Sequence, residues 1–196
     1  NTGITATSSP FNFTATFFIG SGDGSSLFFS GNMDDFRIYN RVLSQDEITI
    51  LYSANNLSST ANNTLSVINT LATNSNNMLA WYKFDGDSNN MLIDSSVNGY
   101  NLTNNGATFD LVNYRTGNGS INFNNQYALL PSAVNIYNIW YGNGITLTTW
   151  IKFSAALQSN NGRVFHYSDT AGGSGWVNYV GICRDTSTNK ILFEMY

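Results

Sequence analysis

The chain has 196 residues, 42% of them hydrophobic and 14% aromatic, which is ample for a packed core. Charged residues make up only 10% of it and the net charge is -4, so it lacks the basic footprint that phosphate neutralisation requires and nucleic acid is excluded as the expected partner. With amides and hydroxyls filling the segments between apolar runs, the surface should respond weakly to salt.

In chain order the first elements are strands. ATFFIG (15–20), SLFFSG (26–31) and MDDFRIYN (33–40) are aromatic or β-branched runs bounded by Gly, Asn, Asp and Ser, the pattern of antiparallel strands joined by turns. LSQDEITILY (43–52) then predicts one short helix. Ser44 can cap the N–H of Glu47 while Glu47 reaches back to Ser44, Leu43 can staple against Ile48, and Asp46 and Glu47 suit the positive end of the helix dipole. Residues 53–78 are a low-charge Asn/Ser/Thr tract that reads as a linker, with Leu65, Ile68 and Leu71 as one weak helical face.

Strand patterns resume with LAWYKFD (79–85), SINFNN (120–125), YALLP (127–131), ITLTTWIKF (145–153), RVFHYS (163–168), WVNYVGICR (176–184) and KILFEMY (190–196). In ITLTTWIKF, Ile145, Leu147, Thr149, Ile151 and Phe153 alternate with Thr146, Thr148, Trp150 and Lys152, giving one apolar and one mixed face. With no helix-strand-helix rhythm, the pattern predicts an all-β antiparallel sandwich with one short helix. The lone Cys183 permits neither an intrachain disulfide nor a thiolate metal cluster and reads as a buried small hydrophobe. No apolar run reaches the ~20 residues of a membrane span, and NTGITATSS lacks the regions of a signal peptide. Sequons at Asn12, Asn56, Asn62, Asn101 and Asn118 permit glycosylation, but an Asn-rich chain generates sequons by chance.

Two stretches carry a resemblance. Gly31, Met33-Asp34-Asp35-Phe36-Arg37-Ile38-Tyr39-Asn40-Arg41-Val42-Leu43-Ser44 and the Glu47 helix resemble the closing strand and helix of the concanavalin A-like lectin/glucanase superfamily, in its laminin G-like jelly-roll branch. Leu79-Ala80-Trp81-Tyr82-Lys83-Phe84-Asp85-Gly86, continued by Asp94-Ser95-Ser96, Asn98-Gly99, Gly119-Ser120-Ile121-Asn122-Phe123 and the Trp150 strand, resembles that family's opening part. The closing part (1–52) therefore precedes the linker (53–78) and the opening part (79–196), and the family's middle hairpin is not seen. A fragment of a tandem array cut out of register gives this order; so does a permuted arrangement in which residues 1–52 complete the sheet of 79–196, within one chain or exchanged between copies. In that family the opening and closing strands lie side by side in one sheet, so the resemblance implies that Phe36 to Tyr39 pairs with Trp81 to Phe84, within the chain or from a neighbouring copy, since strands left without a partner are costly.

The resemblance implies a noncatalytic glycan-binding or adhesive module of a repetitive extracellular or particle-surface protein. Its expected partners are a glycan, a surface protein, neighbouring repeats or copies of itself. A structural subunit of a viral capsid or fibre is the alternative, and a glycoside hydrolase fragment lacking its catalytic strand is a second. Against the hydrolase, the paired carboxylates of that chemistry have no counterpart, because the only glutamates are Glu47 and Glu194 in unrelated segments. His166 reads as a structural strand residue, and Gly172-Gly173-Ser174-Gly175 as a turn, with no lysine to make it a phosphate cradle. Asp85, Asp87 and Asn89 offer oxygens suited to calcium without completing an EF-hand. The resemblance implies instead a structural calcium held by Asp34 and Asp85, with Asp35 as a substitute; solvated turn carboxylates are the plain alternative. For a sugar, the polar-aromatic segment NIYNIWYGNG offers Tyr137, Trp140 and Tyr141, while Trp81, Trp150 and Trp176 read as core.

Overall fold

The computed structural model describes residues 16–54, 77–87, 90–132, 134, 144–154, 162–168, 179–185, 188 and 190–195. Its strands are β1 (Thr16–Ile19), β2 (Ser30–Tyr39), β3 (Met78–Tyr82), β4 (Thr103–Asn105), β5 (Thr108–Asp110), β6 (Ser120–Asn124), β7 (Tyr127–Leu129), β8 (Thr146–Phe153), β9 (Arg163–Ser168), β10 (Tyr179–Arg184) and β11 (Ile191–Met195). One helix, α1 (Gln45–Ala54), follows β2. All pairings between these strands are antiparallel. They form a six-stranded sheet in the order β11-β10-β9-β1-β7-β4 and a five-stranded sheet in which β2 pairs with β3, β6 and β8. This is the all-β sandwich with one short helix that the alternation patterns predict.

Between the sheets lies an apolar cluster. Phe17 of β1 meets Phe36 of β2 edge-on at 6.3 Å and stacks on Phe165 of β9 at 5.6 Å, so rings from both sheets share a single core. Ile145, Leu147, Ile151 and Phe153 turn the apolar side of the β8 segment into it, as the alternation requires. Cys183 and His166 are fully buried on strands.

β2 organises the five-stranded sheet. β8 pairs along it from Gly31 to Tyr39, so the opposite flank is shared end to end by β6, against Ser30 to Met33, and β3, against Phe36 to Tyr39. The expected pairing of the 36–39 and 81–84 stretches therefore forms within the chain, as Phe36↔Tyr82, Arg37↔Trp81 and Ile38↔Ala80. Strands from both sides of the 53–78 tract enter one sheet; residues 55–76 of that tract lie outside the described residues. Where the flank passes from β6 to β3, β2 bulges: its pairing with β8 skips between Asp34 and Arg37, and Asp35 takes a left-handed φ of 55°.

Three details differ from the sequence expectations. SLFFSG is not a separate strand: Phe28 makes one isolated bridge to Arg163, and Ser30 and Gly31 already belong to β2. β4 (TNN) and β5 (TFD) are three residues each, too short to show an alternation in the sequence. The capping box forms, with the Ser44 N–H donating to Glu47 at 2.8 Å and the Glu47 N–H to Ser44 Oγ at 3.3 Å, but the staple does not reach Ile48, which is exposed. Leu43 packs instead with Leu51, Tyr39 and Met78, because the helix turns its Leu51 face toward the sheet.

Candidate functional site

Since β2 and β8 send alternate residues inward, the others stand on the outer face of the five-stranded sheet, where Asn32 lies beside Lys152 and Asp34 beside Trp150 across the pair. The loop after β5 folds over this face. Asp110 builds the loop's first turn by accepting from the Val112 N–H at 2.7 Å and the Asn113 N–H at 3.1 Å, an Asx turn, and Asn113 Nδ2 donates back to it at 2.9 Å. These bonds hold the Asp110 carboxyl well below the usual carboxylate range, the Asn113 side chain contributing most. Asn32 Nδ2 ties the loop to β2 by donating to Asp110 at 2.8 Å and to Ser120 Oγ at 3.0 Å, and Lys152 Nζ donates to Asn113 Oδ1 at 2.5 Å.

Loop and sheet enclose a groove of about 260 Å³ lined by Asn32, Asp34, Asn113, Tyr114, Arg115, Trp150 and Lys152, among others. The Arg115 guanidinium lies 4.9 Å from the centre of the Trp150 ring, and Tyr52 from α1 packs against the same ring at 5.5 Å. Tyr114 and Tyr52 remain 48% and 61% exposed, so their rings are available to a ligand.

Asp34 forms the floor. Its Oδ2 accepts the N–H groups of Arg115 (2.6 Å) and Thr116 (2.7 Å), and its Oδ1 the Thr116 hydroxyl (3.3 Å). Burial pushes its pKa up to about 6; the Thr116 and Arg115 N–H groups and the Thr116 hydroxyl oppose this, and the Asp35 carboxylate adds to it. Asp85, on the other side, accepts the Asn118 N–H at 2.7 Å, and the Gly86 N–H donates to Asn118 Oδ1 at 2.8 Å. The structure thus brings Asp34 and Asp85 to one turn, residues 115–118. Asp35 is engaged elsewhere: it binds Arg37 through two bonds of 3.0 and 2.8 Å and accepts Trp81 Nε1 at 2.5 Å. Trp81, read as core from the sequence, is a half-buried ring with Arg37 at 4.5 Å and Lys83 at 4.4 Å from its centre.

Calcium takes six to eight oxygen ligands, and the donor set here does not match that need. The oxygens of Asp34, Asp35 and Asn118 described above already receive N–H or O–H donors, as does Asp85 Oδ1. Among the described residues no group of three or more His, Cys, Asp or Glu could hold a metal. Tyr137, Trp140 and Tyr141, expected to bind a ligand, lie outside the described residues. The groove residues that sequence reading missed are Asp110, Asn113, Tyr114, Arg115 and Trp150. Their signals were faint: an Asx-turn spacing in DLVN, and Trp150 and Lys152 on the mixed face of the β8 segment.

In comparison with known proteins, residues 1–49 match the laminin G model of the concanavalin A-like lectin/glucanases superfamily, a partial domain ending within α1. The described part of the match comprises β1, β2 and the start of α1, so it contains the Asp34 floor but not the loop that walls the groove. No curated protein and no solved structure matches the chain. Among the described residues no helix is long and apolar enough to cross a membrane.

Proposed function

We propose that the chain is a noncatalytic glycan-binding module of an extracellular or particle-surface protein, and that the groove over β2 and β8 receives the sugar. The observation that carries this reading is the combination over one sheet face of aromatic rings (Trp150, Tyr114 and Tyr52) with amide and cationic groups at Asn113, Arg115 and Lys152. Sugars are recognised by that pairing, an aromatic surface against their C–H faces and planar polar groups against their hydroxyls. A volume of about 260 Å³ falls below the ~300–1,000 Å³ of drug-sized sites and suits a terminal sugar unit rather than a long buried chain.

A glycan array probed with the purified protein tests the reading. A reproducible hit that Trp150→Ala abolishes and Trp140→Ala leaves intact is the expected result. Loss on Trp140→Ala alone would move the site to the 135–143 segment, and silence across the array would overturn the proposal. The structural-subunit reading has one observation in its favour: Ile191 and Phe193 of the edge strand β11 are 61% and 60% exposed, an apolar edge of the kind that pairs with another chain. Ordered self-association in sedimentation velocity, together with a silent array, would select it.

A further inference from the structure

The resemblance implies a calcium ion at Asp34 and Asp85. We propose instead that the two carboxylates form a metal-independent clamp on the 115–118 turn, the turn's own amides supplying the positive charge that a cation would supply. Three independent features of the backbone support this.

The first is the direction of the bonds. Asp34 Oδ2 takes two amide N–H groups at 2.6 and 2.7 Å, and Asp85 Oδ1 takes a third at 2.7 Å, from consecutive parts of one turn. Successive N–H groups converging on carboxylates form an anion-binding concavity. A calcium ion at its usual 2.3–2.6 Å from Asp34 Oδ2 would meet the positive ends of two N–H dipoles that already take both lone pairs there, and would have to displace one of them. Even the Asp34 carbonyl is engaged, accepting Thr149 Oγ1 at 3.0 Å.

The second is the close approach of the turn. Gly117 has φ of +62°, and a Cβ there would stand 1.9 Å from Asp85 Oδ1 and 2.2 Å from Oδ2. The space beside the Asp85 carboxylate is therefore filled by the turn, and only glycine permits it.

The third is strain. Asp35 (φ 55°) and Phe84 (φ 56°) both lie in the left-handed region, each next in sequence to a clamping carboxylate. A bulky buried residue such as Phe84 in that conformation is strained and persists only where surrounding contacts hold it. Phe84 is held by the core, where it stacks on Tyr82, and Asp35 lies beside the clamp at the place where the flank of β2 is vacated by β6 and not yet taken by β3. The clamp fixes the groove wall, since Arg115 and Thr116 are the residues held.

The experiment is a calcium titration of the whole chain followed in two ways. Thermal melts in 5 mM calcium and in EGTA should coincide within about 1 °C, and any calcium response should be the same in wild type, Asp34→Asn and Asp85→Asn. A native-state site filled about 100-fold above its Kd would instead raise Tm by several degrees. A calcium response that either variant abolishes overturns the proposal. Because the variants could fail to fold, amide resonances of wild type provide the second readout. The N–H signals of Arg115, Thr116 and Asn118 should stay in place through the titration, and saturable shifts confined to them would overturn the clamp. Gly117→Ala should lower Tm to the same extent with and without calcium; a loss seen only with calcium present would count against the proposal.

Discussion

The two sheets have similar inner faces and differ in how far loops cover their outer ones, although the outward Asn32 and Asp34 of β2 are buried as well. In the six-stranded sheet all six residues of β9 are buried: Phe165 and Tyr167 pack against Phe17 in the core, yet Arg163, His166 and Ser168 are buried too. The loop between β1 and β2 contributes to that cover, since a Cβ on Gly24 would stand 3.0 Å from Phe18 and 3.1 Å from Tyr127. In the five-stranded sheet the loop after β5 docks at one side only and leaves the groove open. Sheet pairing thus builds the scaffold, and loop docking decides which outer face can meet a ligand.

The largest test of this comparison asks whether the two sheets are one folding unit. Phe36→Ala removes a fully buried ring that touches Phe17 of the other sheet, and it should cost about 3–5 kcal/mol by urea denaturation. The loss should shift a single transition. Two transitions, with only one of them moved, would show that the sheets unfold separately and that the shared core is weaker than its geometry implies.

Next in size is a pair of opposed pH effects, one from each sheet. Burial, with Arg163 adding, lowers the pKa of His166 to about 4. Above pH 6.5 both states hold it neutral. As pH falls toward 4 the unfolded chain takes up a proton that the folded chain refuses, and stability falls by about 3 kcal/mol over the whole window. Asp34 acts in the opposite sense. Its pKa is raised to about 6, so as pH rises from 3.8 to 6 the unfolded chain ionises first and stability falls by a similar amount. Glu47, drawn down to about 2 chiefly by its bond to Arg41, loses its contribution only as pH falls below 4.5. Urea midpoints between pH 4.6 and 6.2 should therefore be nearly flat in wild type. They should fall on acidification in Asp34→Asn and fall on alkalinisation in His166→Gln. Flat pH curves in both variants would mean that neither side chain is withdrawn from water.

What was legible in the sequence divides along the same line. β2, β3, β8 and β9 are long or strongly alternating, so a local pattern fixed their existence, while the pairing of Phe36 with Tyr82 was implied by the resemblance to a family whose opening and closing strands lie side by side. The capping box was legible because its partners lie three residues apart, and Ser44→Ala should cost ~1 kcal/mol, read from the thermal melt. A silent substitution would place the start of α1 elsewhere. The groove was not legible. Asp34 finds its donors 81 and 82 residues away, and Asn32 finds Asp110 78 residues away, so no local window holds both partners. Trp150 read as core because it sits on a strand; that its side of the sheet stays open depends on where the loop after β5 lands.

The smallest predicted effect probes the far edge of the six-stranded sheet. Sealing of the outer face does not extend to β11, where Ile191 and Phe193 point outward from the last strand and are more than half exposed. Phe193→Ser should change stability by no more than about 0.5 kcal/mol, as expected where a side chain packs against little. The measurement should be made at protein concentrations differing about 100-fold, because a neighbouring copy covering this face would make the loss grow with concentration. A small, concentration-independent change keeps the contrast between a sealed centre and an open edge within the six-stranded sheet. A loss of several kcal/mol at high concentration alone would mean that another copy covers the edge and that this sheet takes part in assembly.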